Sequence, residues 1–154
     1  MKKIKNNDKK EDAQKKREKY SLILGAKASR GAGWFYWIAG LSLINTAVFY
    51  LGGGISFIVG LAITQIIEGF LSYYGTIGIV ISVVLNMFVA GIFAGLGYFA
   101  DKKRMNLAFL VGMILYIIDT LLFLIVMDIL SIGFHIYALV NIFLGYKANR
   151  KLQD

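Results

Sequence analysis

Cysteine and proline are both missing from this chain of 154 residues. Without cysteine there can be no disulfide, no Cys-ligated zinc, no iron–sulfur cluster and no thiol chemistry. Without proline, where roughly 5% is usual, any helix kink must come from glycine, of which there are 17. Histidine occurs once, as His135. One histidine is few for zinc, which favours several nitrogen or sulfur ligands, and no metal site is expected. No phosphate-binding loop or dinucleotide motif is present, so no cofactor is expected either. Lysine and arginine are missing from 31–101 and from 105–146.

What fills those stretches is apolar. The chain is 58% hydrophobic, against roughly 45–50% for a soluble domain, and its mean hydropathy is +0.66. The excess runs from Trp34 to Tyr146. The net charge of +8 is confined to three groups: the residues before Trp34, "DKKR" at 101–104, and the C-terminal tail. This pattern predicts an all-α, polytopic integral membrane bundle. Residues 1–33 read as a basic polar tail, 34–147 as the transmembrane bundle, and 148–154 as a short basic tail.

In the first part, Glu11 and Asp12 precede Lys15 and Lys16 by four residues, the order that supports a helix. A short helix is expected there, leading into "SLILGAK", which can lie on a membrane surface. The basic tail suits anionic lipid headgroups as partners. Nucleic acid is not expected as a partner, because Tyr20 is the only aromatic before Trp34. A cleaved signal peptide is not expected: the apolar run starts late and exceeds the usual length.

Five apolar segments follow, at 34–51, 54–74, 76–100, 106–127 and 128–146, joined by short connectors. Each is near the ~20 residues that cross ~30 Å of hydrocarbon. Residues 106–146 would make a helix of roughly 60 Å, twice the bilayer, so a turn is placed at about 127, beside Asp128. The basic residues belong on the cytoplasmic side of the cell membrane. Three full crossings between 34 and 100 would put the N-terminal tail and "DKKR" on opposite sides. Either one segment does not cross or the charge rule fails once. Segment 54–74 is the most polar and follows "GGG" (52–54), which makes it the best re-entrant candidate, so four or five of the helices span. The loop 101–106, the C-terminus and the N-terminal tail are expected to be cytoplasmic.

Three ionisable residues lie deep in this apolar sequence. Asp119 is eight residues before the turn and His135 eight after it. At ~1.5 Å per residue both lie roughly 12 Å below it, level with each other in an antiparallel hairpin. Glu68 is a similar distance from a turn at about 75, so all three are candidates for one polar layer. An isolated charge there costs about 2.5–3.5 kcal/mol, which pairing reduces. Asp128 fits an N-cap of the last helix, or the mouth of a path to His135.

Ser56, Gly60, Thr64, Glu68 and Ser72 repeat every four residues, a small and polar stripe on one helix face. The third segment offers Ser82, Asn86, Ala90 and Ala94, with Gly91-x-x-x-Gly95. Helix packing explains both stripes. Asn45, Gln65 and Asn141 are read as interhelical hydrogen-bond partners. No spacing supports a nucleophilic role for Ser82 or Ser131 with His135, and an enzyme is the least favoured reading.

Two function classes follow. In one, protons, a small cation or a small solute move through, or are sensed at, the Glu68–Asp119–His135 layer. That needs a water-connected pocket. In the other, the protein is a structural or partner-binding membrane subunit, possible as a homo-oligomer. That needs the same groups sealed from water and a small-residue face left uncovered.

Overall fold

The computed structural model describes residues 2–52, 60–125 and 127–154, and every regular element among them is helical. The order is α1 (Lys2–Tyr50), α2 (Ala62–Leu71), a 3-10 turn (Ser72–Tyr74), α3 (Gly75–Asp101), α4 (Asn106–Ile125) and α5 (Ile129–Gln153). Four stretches are long and apolar enough to cross a bilayer: Lys10–Tyr50, Ala62–Asp101, Asn106–Ile125 and Ile129–Gln153. In the second of these only α3 has the length of a crossing by itself. The ten residues of α2 reach about 15 Å, half of a hydrocarbon core.

With no proline to stop it, α1 is continuous for 49 residues. The boundary drawn at residue 33 is therefore no break in the helix, and "SLILGAK" does not form a separate surface helix. Leu22 and Ile23 of this stretch are exposed, but one face of α1, with Leu24 and then Ala28 four residues on, has a partner. Leu24 and Ala28 bury against Ala148, with Leu152 packed alongside. One turn further in, α1 and α5 come closest. A Cβ built on Gly145 would lie 2.6 Å from the Cα of Gly31, a separation that only glycine permits. The register is antiparallel throughout.

α1 also runs antiparallel to α3. Tyr50 donates to Ser82 Oγ at 2.6 Å, Asn86 Nδ2 donates to Thr46 Oγ1 at 3.0 Å, and Gly97 lies under Phe35 and Tyr36. Phe35 is the centre of the apolar core. Its ring meets Phe93 and Phe109 with centroids 6.4 and 6.3 Å apart. α4 and α5 close the bundle as a hairpin. Two of its tight turns contain non-glycine residues with left-handed backbones, Arg104 (φ 54°) and Met127 (φ 55°).

The basic groups gather at one end of the bundle. Arg104, in the α3–α4 connection, donates to Gly25 O and Ser29 Oγ on α1 at 3.3 and 3.0 Å. Its own carbonyl accepts from Asn149 and Gln153 on α5 at 2.7 and 2.5 Å. The described part of segment 54–74 is not one long helix, since residues 60 and 61 are non-helical and α2 covers only Ala62–Leu71. Leu61 N–H donates to Ser42 Oγ at 3.0 Å, and Ser42 lies eight residues, roughly 12 Å, short of the end of α1. Leu61 therefore lies beside α1 well inside the bundle, and α2 leads from there to Gly75, whose φ of 62° starts α3 in the opposite direction.

Candidate functional site

Two polar clusters lie where α2 and the residues just before it meet the long helices. The first surrounds the start of α2. A helix begins with backbone N–H groups that have no partner within it. Leu61, at the N-cap position, has no side chain to supply one. Asp119 on α4 supplies it instead: Oδ2 accepts from Ala62 N at 2.9 Å and Oδ1 from Ile63 N at 3.0 Å. A negative carboxylate at this end also suits the helix dipole.

His135 on α5 completes this cluster. Its Nε2 is 3.2 Å from Asp119 Oδ2, and its Nδ1 is 2.7 Å from the carbonyl of Ser131. A carbonyl can only accept, so Nδ1 carries hydrogen. Nε2 and Oδ2 are then bonded through one further proton held between them. The imidazole stacks on Tyr116, with centroids 4.4 Å apart and planes at 16°, and Phe123 covers another side at 4.8 Å. His135 is 0% exposed and Asp119 4%.

Asp128 is the N-cap of α5. It accepts from Ser131 N at 3.1 Å and from Ser131 Oγ at 2.5 Å. These bonds, led by the hydroxyl, hold its carboxyl below the usual aspartate range. Ser131 therefore lies between Asp128 and His135, offering its hydroxyl and N–H to one and its carbonyl to the other.

The second cluster holds Glu68. Its Oε1 accepts from Asn86 Nδ2 at 2.7 Å. The same amide group reaches Thr46 Oγ1, and Thr46 Oγ1 lies 3.1 Å from Ser42 O. Glu68 is 1% exposed. Of the three residues expected in one layer, Asp119 and His135 are bonded to each other, with Asp119 also reaching the start of α2, whereas Glu68 bonds to Asn86 on α3 in the separate second cluster. Among the described residues no three His, Asp or Glu side chains converge in a way that could hold a metal ion.

The stripe of four-residue repeats is only partly a helix face. Ser56 lies outside the described residues, and Gly60 precedes α2 in a bend, pressed against Asn45, where a Cβ would collide with the amide. Thr64 is buried and donates to Leu61 O at 2.7 Å, whereas Ser72 is exposed and donates to Gly69 O at 2.9 Å. Ser82 and Asn86 pack against α1. Gly91 and Gly95 do not take part: a Cβ on either would meet nothing within 4 Å. Asn141 is not an interhelical partner either, since it donates to Tyr137 O one turn back on its own helix.

Ser42, Thr46 and Tyr116 were missed in the sequence. Hydroxyl residues four apart (Ser42 and Thr46) are a recoverable signal for a buried polar face, but an aromatic inside an apolar run carries none. No family model matches the chain, and no curated protein or solved structure shows significant similarity to it.

Proposed function

We propose that this is a small integral membrane protein of structural or partner-binding role, in which the buried polar groups fasten a re-entrant helix. Membrane placement is supported by the outer faces of the long helices. Phe88, Ile125 and Ile129 are 68%, 78% and 82% exposed, and so much uncovered apolar surface suits lipid rather than water. The gathered basic end is then cytoplasmic under the positive-inside rule, with the Gly75 and Asp128 turns on the outer side. In that placement four helices cross and α2 is a half-membrane segment. Non-helical backbone at such depth is tolerated only where protein satisfies it, and Asp119 and Ser42 do so for residues 61–63.

One observation supports the choice of role: both polar chains run into backbone carbonyls or a side-chain amide. From Asp128 inward, the link to His135 passes through the carbonyl of Ser131. Beside Glu68, the Thr46 hydroxyl bonds onward to the carbonyl of Ser42, and the other neighbour is the amide nitrogen of Asn86. Carbonyls and amides do not give up and take up protons as hydroxyls, imidazoles and carboxyls do. With Glu68, Asp119 and His135 all buried, the groups read as fasteners. The uncovered Gly91 and Gly95 on α3 are the small-residue face that such a subunit can offer to another helix.

The test is proton flux in proteoliposomes holding a pH-sensitive dye. The native chain and Glu68→Gln should be indistinguishable from protein-free vesicles under an imposed potential. Flux that needs Glu68 or His135 would replace this reading with the transport one. A photo-crosslinking residue at Phe88 should join the chain to a second helix in the membrane, and one at buried Phe109 should not.

A further inference from the structure

Two cavities on the α1–α5 face form one continuous feature. The first, about 310 Å³, lies toward the basic end, and four cations surround it: Lys27 and Arg30 from α1, Lys147 and Lys151 from α5. Its floor is apolar, with Leu24 and Leu144. Among the described residues none of the four cations is in a salt bridge. The second cavity, about 610 Å³, continues along the same two helices and shares Arg30 and Asn141 with the first. Beyond them its walls are Trp34, Trp37, Leu41 and Phe134.

We propose that this groove binds one anionic glycerophospholipid, with the phosphate among the four cations and an acyl chain along the tryptophans. The proposal rests on the membrane placement given above. Charge selects the headgroup: a net-neutral zwitterionic lipid would leave the four clustered cations unbalanced, and an anionic one neutralises part of them. Shape selects a lipid over a free anion. From Arg30 to Leu41 is eleven residues of helix, roughly 16 Å, which is about half of a ~30 Å hydrocarbon core and so one leaflet. A soluble phosphate would fill the basic cavity and leave the apolar one empty. The sequence shows the reason for the layout. Lys27 and Arg30 fall within a turn of each other, as do Lys147 and Lys151, and the closely packed Gly31 and Gly145 bring the two pairs together.

The chain supplies its own probe, because its only two tryptophans, Trp34 and Trp37, both line the groove. The full-length protein is reconstituted in phosphatidylcholine bilayers into which phosphatidylcholine or phosphatidylglycerol with brominated acyl chains is titrated. Bromine quenches tryptophan on contact. Brominated phosphatidylglycerol should quench with roughly fivefold higher relative affinity, at least the effect of one basic residue at an anionic surface. The variant Lys27→Gln, Arg30→Gln, Lys147→Gln, Lys151→Gln should lose that preference while brominated phosphatidylcholine still quenches it, which shows it is inserted. Neutralising Lys15, Lys16, Arg17 and Lys19, which are exposed elsewhere on α1, should leave the preference intact. Inorganic phosphate at matched ionic strength should not reduce it. Equal quenching of the native protein by the two lipids would overturn the site alone. Loss of the preference to inorganic phosphate would overturn the lipid in favour of a soluble anion. Quenching by neither lipid would overturn the membrane placement and the site with it.

Discussion

Removing Asp119 should destabilise the bundle far more than removing His135, although the two form one pair. Asp119→Ala deletes two different things. It uncaps α2, leaving the N–H groups of Ala62 and Ile63 without their acceptors; losing a cap costs about 1 kcal/mol and up to ~2. It also removes the partner of His135 Nε2, and hydrogen bonds within membranes average ~0.6 kcal/mol with a maximum near 1.7. The sum is roughly 2–4 kcal/mol. His135→Leu leaves the cap of α2 in place, because Asp119 keeps both backbone donors; it removes the Nε2 bond and the Nδ1 bond to the Ser131 carbonyl, while leucine still fills the space beside Tyr116 and Phe123. That change should cost on the order of 0.6–2 kcal/mol. The double variant should fall short of the sum by about 0.5–2 kcal/mol, the coupling of the pair. The measurement is reversible unfolding in mixed micelles of rising denaturing-detergent fraction, followed by tryptophan emission. A His135→Leu effect as large as that of Asp119→Ala would refute the capping role. Strict additivity would refute the pair.

Three further outcomes are expected. Gly145→Ala places a methyl group 2.6 Å from the Gly31 Cα; overpacking of this kind costs about 1–3 kcal/mol, read as a lower unfolding midpoint. Asp128 has its folded pKa lowered by Ser131 from an ordinary value of 3.8, so its stabilising contribution is full above 3.8 and is lost as pH falls toward the depressed value. Asp128→Asn still caps but should flatten that part of the melting curve between pH 5 and 3; an unchanged slope would exclude Asp128 as its source. Deleting residues 1–19 should leave the thermal midpoint unchanged, since side chains 10–20 are exposed and Leu24 is the first described core residue, whereas deletion through residue 33 should abolish the folded bundle.

The sequence made the helical class and the hairpin at 125–129 legible, because apolar length and one polar interruption are one-dimensional signals. The meeting of Asp119 and His135 follows from counting residues on either side of the turn at about 127. The capping of α2 by Asp119 was not legible, since it joins residues 57 apart in sequence, and nothing in "LAITQ" announces a helix start. Glu68 was grouped with the wrong partners for a related reason. Depth can be counted from a turn, but azimuth around the bundle depends on which helices neighbour one another. Likewise residues 20–33 were read with the basic tail, yet the spacing of Leu24, Ala28 and Ala32 buries one face of that stretch.

The Asp119 cap also constrains the order in which the chain can be completed. The ribosome makes Ala62 and Ile63 long before their acceptor; at roughly 5–20 residues per second, 57 residues take several seconds. During that interval α1 and α3 can already form, but the first N–H groups of α2 lack their carboxylate acceptor. In the membrane placement proposed above, α2 would wait at the outer surface or in the insertion machinery. Only when α4 arrives, and α5 folds back to bring His135 against Asp119, does the half-helix gain its anchor. The start of α2 is therefore capped only when the bundle is nearly complete, although α2 precedes three of the other long helices in the chain. A chain cut short before residue 119 would leave that helix start uncapped.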